Sequence, residues 1–234
     1  MDAKTEPLMA FGQGVWLREA PVRFLGLRLT TTMAVLRLAD GSLLVSSPVA
    51  LTPDLQRAVE ALGRVAHLYA PNLQHRSWVG EWAAAFPAAR VHAPSGLRKK
   101  RPGLRIDRDR EHGEAPEPAF AGTVDEIPIA GFRLQETALF YRPAGTLVVA
   151  DLVHNVGRPT HAWTRSYTRL MGFYDRIGLS RVIRLTAFSD RRAARRSIDE
   201  LLARPFDRLI VGHGAPLASG GREAVRSVYA WLAP

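Results

Sequence analysis

The sequence predicts an α/β domain in which two β-sheets pack face to face with helices outside, a four-layer αββα sandwich. Three observations lead there. Strands come first, from Val15 to Ser47, with only short turns between them; strand–helix–strand order follows; the same order then recurs through the second half. With 234 residues, 47% of them hydrophobic, the chain can bury one large core, and we read residues 1–234 as a single domain.

The opening run divides into strands Val15–Leu17, Phe24–Leu29, Met33–Leu38 and Ser42–Ser47, with Asp40-Gly41 as a hairpin turn between the last two. Thr52-Pro53 supplies an N-cap and a proline at the first helical position. The helix then runs to about Leu62, with Leu55, Val59 and Leu62 on one face and Gly63 ending it. A strand over Val65–Ala70 leads into the polar loop Pro71–Trp82, backed by a helix from about Val79 to Phe86 that brings Trp78 and Trp82 onto one core-facing side. Polar groups at the carboxyl end of a strand are where open α/β sheets place ligands. After the short strand Ala89–Ala93, a basic loop runs over 97–118. Strands resume at Val124–Ile129, Phe132–Leu134, Ala138–Tyr141 and Thr146–Ala150, the last ending on Asp151. Residues 156–183, aromatic and basic with helical potential near Thr164–Ile177, read as a lid insertion over the sheet edge. Ser189 or Asp190 then caps a helix to about Ala203, and the buried strand Leu209-Ile210-Val211 delivers His213 between two glycines. A helix over about Arg222–Leu232 closes the chain.

Charge and composition narrow the chemistry. There is no cysteine, so disulfides, thiolate metal sites and a cysteine nucleophile are all excluded; any metal must be held by nitrogen and oxygen donors. The polar, acidic start Met1–Glu6 is unlike a signal peptide, and no apolar run is long enough to span a bilayer. A cytoplasmic protein without a membrane partner is expected. The net charge of +10 raises the question of a polyanionic partner such as nucleic acid or an anionic surface. The densest cluster, Arg98-Lys99-Lys100-Arg101, lacks the interleaved aromatics of a stacking platform and reads as a solvated loop. Ser46, Ser47 and Ser77 are not framed by a Gly-x-Ser-x-Gly elbow, which leaves a serine hydrolase without support. No glycine motif for phosphate appears. Among the remaining histidines, His154, three residues past Asp151, could face the same cleft but reads more readily as a loop or surface residue, and His161 reads as a lid residue near substrate. His67, His92 and His112 read as structural or exposed.

Three strand ends thus carry polar groups, His75, Asp151 and His213, and in order and spacing they resemble the landmarks of the metallo-β-lactamase fold superfamily. Within it the chain is similar to the DUF4336 family, on the stretches Ser47–Pro53, Ala70-Pro71-Asn72, Gly80-Glu81-Trp82 and Arg142-Pro143. The resemblance implies the αββα sandwich of that superfamily and a metal-dependent hydrolase. It also implies a reduced site. The family's His-x-His-x-Asp-His-x-Gly loop, aligned on Gly80, falls on Leu73, His75, Ser77 and Trp78, so only His75 remains; Asp151 and His213 match the bridging aspartate and the terminal histidine. Two readings stay open. In one, His75, Asp151 and His213 hold a single Zn²⁺, Fe²⁺ or Mn²⁺, with Glu136 as a further ligand and Asn72 beside Asp151 in catalysis on a small-molecule substrate. In the other, the residues form a metal-free polar trio in a non-catalytic protein that binds an anionic ligand or nucleic acid.

Overall fold

Residues Val15 to Arg37 form one long hairpin, where the sequence suggests three shorter strands. The computed structural model describes residues 8–110 and 113–232, so the expectations for Met1–Glu6 and His112 lie outside the described residues. Strand β1 (Met9–Gly12) pairs antiparallel with β2 (Val15–Phe24), which pairs over its whole length with β3 (Leu27–Arg37). The expected strand Phe24–Leu29 straddles the turn between them. Leu25 and Gly26 both have positive φ, 48° and 78°, the pair of conformations that matches the twist of a two-residue hairpin. Leucine is an unusual residue there, which is why the turn carries no Asn-Gly or Asp-Gly signal.

The rest of the first sheet follows from strand β4 (Leu43–Ser46), antiparallel to β3, and then from parallel neighbours β5 (Val65–Tyr69), β6 (Arg90–Ala93) and β7 (Arg108–Asp109). Helix α1 (Pro53–Leu62) starts where Thr52 Oγ1 accepts the Leu55 N–H, and Gly63 ends it. With α2 (Val79–Ala85) it covers the outer face of this sheet. There Leu55, Val59 and Trp82 meet Met33, Val35, Val45 and Leu68, and Trp82 Nε1 donates to the Val49 carbonyl at 2.7 Å.

The stretch 97–118 is not a solvated loop. It holds helix α3 (Gly96–Lys100) and β7, and its arginines staple the sheet edge: Arg98 pairs with Asp109, Arg105 with Asp107, Arg108 with Glu117, and Arg110 with Glu126.

The second sheet orders four strands, β8 (Val124–Pro128), β9 (Thr137–Tyr141), β10 (Thr146–Val148) and β12 (Arg208–Ile210), with β10 and β12 parallel and adjacent. Phe132–Leu134 makes no strand; Phe132 forms only an isolated bridge to Phe188. A two-strand ladder, β11 (His154–Asn155) with β13 (His213–Gly214), sits at the carboxyl ends of β10 and β12. Helix α4 (Ala162–Met171) packs on the distal half of the hairpin, with Thr164 Oγ1 accepting the Arg28 N–H at 2.9 Å. It is followed by α5 (Arg181–Thr186), which the sequence did not suggest. Helix α6 (Arg191–Leu202) is capped by Asp190, and with α7 (Gly221–Tyr229) it covers the outer face of the second sheet through Ile198, Leu201, Val225 and Tyr229. Between the sheets, Leu17, Leu36, Leu44 and Tyr69 interleave with Phe120, Leu139, Tyr141 and Ile210. Four layers result. No described helix is long and apolar enough to cross a membrane.

One polar pair interrupts the inter-sheet layer. His67 and His92 are both buried and joined Nδ1 to Nε2 at 2.9 Å, with the other nitrogen of His92, Nδ1, left without a partner. Burial, followed by the neighbouring His67, pushes His92 down to about 2. An unfolded histidine protonates near 6.5, so below that pH the unfolded chain binds more protons and stability falls as pH falls. His92→Gln should therefore shrink the loss of unfolding free energy between pH 7 and 4.5 by about 2 kcal/mol. Urea titrations at the two pH values read this directly, and an undiminished loss would place the acid sensitivity elsewhere.

Candidate metal centre

The site is built where the two sheets meet at the carboxyl ends of their parallel strands. Val148 and Ile210 are register partners in β10 and β12. Three residues beyond each stand Asp151 and His213, which the topology therefore brings together. From the first sheet, the turn after β5 contributes Asn72 and His75. Asn72 Oδ1 accepts the N–H groups of Gln74 and His75 at 2.8 and 2.9 Å, which folds the turn back so that the His75 ring points at the second sheet.

Asp151 is the hub. Its Oδ2 lies 3.7 Å from His75 Nε2 and accepts Asn72 Nδ2 at 2.8 Å; its Oδ1 lies 3.4 Å from His213 Nε2 and 3.8 Å from His154 Nε2. Burial pushes this carboxyl up, but His75 and His213 more than offset it and hold Asp151 well below the usual carboxylate range. His75 and Asp151 are buried and His213 is 16% exposed, so the site opens on the His213 side.

Both rings are oriented from behind. His213 Nδ1 lies 2.7 Å from the Thr30 carbonyl, which can only accept, so Nδ1 carries the proton and Nε2 faces Asp151. His75 Nδ1 contacts Ser47 Oγ at 2.7 Å, which again leaves Nε2 for the site. Burial opposes charge on His213, yet Asp151 and the Thr30 carbonyl prevail and raise its pKa.

The glycines beside His213 have distinct jobs. A Cβ on Gly212 would lie 2.6 Å from the Ala150 oxygen and 2.8 Å from His75 Cε1, so only glycine lets the strand pass between the Asp151 strand and the His75 ring. Gly214 has φ +98° and would drive a Cβ into the Asn155 carbonyl.

The sequence-derived residues divide. One nitrogen or oxygen from each of His75, Asp151 and His213 lies within 4.8 Å of the others, the one such group among the described residues. Glu136 stands behind them with both oxygens engaged, by Ala150 N–H (2.7 Å), Asp151 N–H (2.8 Å) and Asn72 Nδ2 (2.9 Å). Burial and then the Asp151 charge push Glu136 up to about 7, against the pull of those three donors. Asn72 has every polar position occupied and positions the two carboxylates. His161 caps α4, its Nδ1 3.0 Å from Thr164 Oγ1.

His154 is the clearest correction. Expected in a surface loop, it is buried at the site, in register with His213 across the β11–β13 ladder, the two rings stacked 9° from parallel. Burial and then the His213 charge push it down to about 4, and its Nδ1 has no partner. Ser47, outside any nucleophile motif, has an orienting role instead. Its signal was its place, at the end of a strand parallel and adjacent to the one that leads to His75. A cavity of about 550 Å³ lined by Arg110, Arg133 and Ser189 shares Glu136 with this site but not the other residues.

Nitrogen and oxygen ligands about 2.0–2.1 Å from a tetrahedral cation lie about 3.3 Å from one another. The contacts from Asp151 to the two histidines, 3.4 Å through Oδ1 and 3.7 Å through Oδ2, are made by different oxygens; with one ligand atom from each residue the three lie within 4.8 Å of one another, so the groups would draw inward onto such an ion.

Known structures place this architecture. The DIM-1 metallo-β-lactamase superposes with a TM-score of 0.65 at 12% identity, covering 97% of each chain. The chain has the metallo-β-lactamase fold. The FIM-1 metallo-β-lactamase from Pseudomonas aeruginosa, in its mono-zinc form, gives 0.63 at 12% identity, covering 97% of this chain and 96% of that one. The Flv1 flavodiiron core from Synechocystis sp. PCC6803 gives 0.67 at 12% identity over 96% of this chain and 60% of that one. Residues 13–97 match the model of DUF4336, a domain of unknown function. No curated protein matches the chain in sequence. In this metallo-β-lactamase fold the three residues that could hold a metal are supported by Asn72, Glu136, Ser47 and the Thr30 carbonyl.

Two expected outcomes follow from that support. Asn72→Ala removes donors from two buried carboxylates and should cost about 3 kcal/mol in urea unfolding at pH 7; a loss under half of that would mean that the turn, and not the amide, positions Asp151. Gly212→Ala should cost about 2 kcal/mol or more by overpacking, and the His75 ring signals should shift in NMR spectra. An unshifted His75 would show that the close approach is relaxed elsewhere.

Proposed function

We propose that the chain is a hydrolase that works with one divalent transition metal, held by His75, Asp151 and His213. The observation that carries this reading is the pair of imidazoles whose outer nitrogens are already engaged, by Ser47 and the Thr30 carbonyl, with both Nε2 atoms turned onto one ionised carboxylate. The mono-zinc form of FIM-1 supports single-ion occupancy on this fold.

Two imidazoles and a carboxylate suit Zn²⁺, Fe²⁺ or Mn²⁺. When bound, such an ion supplies an acidified water and polarises a carbonyl or phosphoryl oxygen. The chain's own part is orientation. Thr30 and Ser47 fix the ring planes, Asn72 anchors Asp151 Oδ2, and Glu136 ties the Asp151 backbone N–H to the loop. Substrate enters from the His213 side. Esters, lactones, thioesters and phosphodiesters present the electrophile such a site attacks, and the fold itself does not choose among them.

A second reading keeps the fold without catalysis and uses the cavity beside Glu136, where Arg110 and Arg133 would hold an anionic ligand. Elemental analysis by plasma mass spectrometry separates the two. Near-stoichiometric metal is expected in the wild type, falling at least tenfold in His75→Ala and Asp151→Asn, with hydrolysis of generic esters or phosphodiesters abolished by chelation. Metal-free protein after incubation with Zn²⁺, Fe²⁺ and Mn²⁺ would overturn the hydrolase reading.

A further inference from the structure

Apart from Met9, every large apolar side chain exposed among the described residues belongs to one region: Phe24 and Leu25 at the hairpin tip, Trp163 and Leu170 on α4, and Val182 and Leu185 on α5. They form a continuous ridge. Trp163 Nε1 donates to the Leu25 carbonyl at 3.2 Å. Trp163 and Leu170 stand seven residues apart on α4, two turns along one face. Arg181, which opens α5, donates to the Leu170 carbonyl at 2.9 Å. Helix α5 buries none of its residues, leaving Val182 and Leu185 together on its outer side. Leu25 is 79% exposed and Leu185 70%, which is full protrusion for leucines that a globular surface gains nothing by displaying.

The ridge is strongly basic. Residues 158–187 contain Arg158, Arg165, Arg169, Arg176, Arg181 and Arg184 against a single acid, Asp175, and Arg158 already pairs with it. Apolar tips rimmed by guanidinium groups match an anionic lipid interface: the tips enter the acyl boundary and the arginines meet headgroups. A second copy of the chain fits poorly, since it would bring the same arginines against their like on a protein of net charge +10. Nucleic acid would use the arginines and Trp163 but leave four aliphatic side chains, Leu25, Leu170, Val182 and Leu185, unsatisfied.

We propose that the hairpin tip, α4 and α5 form a docking surface for an anionic membrane, which departs from the sequence-based expectation of no membrane partner and does not depend on the metal.

Flotation of the full chain with vesicles of phosphatidylcholine alone, or with about one-third phosphatidylserine, tests it. Binding is expected only to the anionic vesicles, weakened by salt and unchanged by a chelator. The pair Leu25→Ser, Leu170→Ser should weaken it at least about tenfold, and Arg169→Gln, Arg181→Gln similarly, since each interfacial basic residue is worth about fivefold. Circular dichroism melts of these surface variants should match the wild type. Absence of flotation at low salt would overturn the proposal. So would flotation unaffected by the leucine pair, a concentration-dependent dimer that the leucine pair dissociates, or an oligonucleotide affinity that exceeds vesicle binding and is lost in the same variants.

Discussion

Everything at the open end of this sandwich is arranged around one buried negative charge. An isolated carboxylate at the position of Asp151 would take up a proton, because its desolvation is not repaid by packing. It stays ionised because its partners converge from both sheets: Asn72 and His75 from the turn after β5, His213 from the end of β12. Those partners are themselves held by Ser47 at the end of β4 and by Thr30 within β3. The charge thus links strands far apart in sequence. A cation between these groups would take over a task that the imidazoles perform in its absence.

The neighbouring Glu136 explains why the arrangement does not fly apart. Two carboxylates share the Asn72 amide, and two like charges in one buried site push one pKa up. Glu136 is the one that rises, to about 7, while three N–H donors keep it from rising further. In the turn that carries His75, Leu73 packs in the core. The polar groups at the site are few enough for the protein to satisfy nearly all of them itself. The exception is His154, whose Nδ1 has no partner.

Much of this was legible because strand ends are legible. Continuous apolar runs stopping at Asp151 and His213, and a Thr-Pro cap before α1, are local signals that tertiary packing does not overturn. What escaped the sequence had no local signal. The hairpin turn uses leucine where Asn or Gly is usual. The β11–β13 ladder is two residues long, below any periodicity, so nothing announced that His154 lies in register with His213. The arginines of 97–118 read as solvated because their pairing follows no local spacing: Asp107, Asp109 and Glu117 lie in the same stretch at irregular intervals, and Glu126 lies 16 residues past Arg110, in β8. Ser47 looked irrelevant because its role is to hold a ring, a role that no motif records.

Strand β3 connects the two surfaces that matter. Its Thr30 carbonyl fixes the His213 tautomer, and its start, after Gly26, supports the ridge tip. Four residues of strand separate them, about 14 Å. That distance restricts what a membrane-docked form can reach. With Leu25 in the acyl boundary, the Thr30 carbonyl that holds the His213 ring would lie no more than about 14 Å of strand from the docked tip. One strand thus carries both the support of the ridge tip and the carbonyl that fixes the His213 ring.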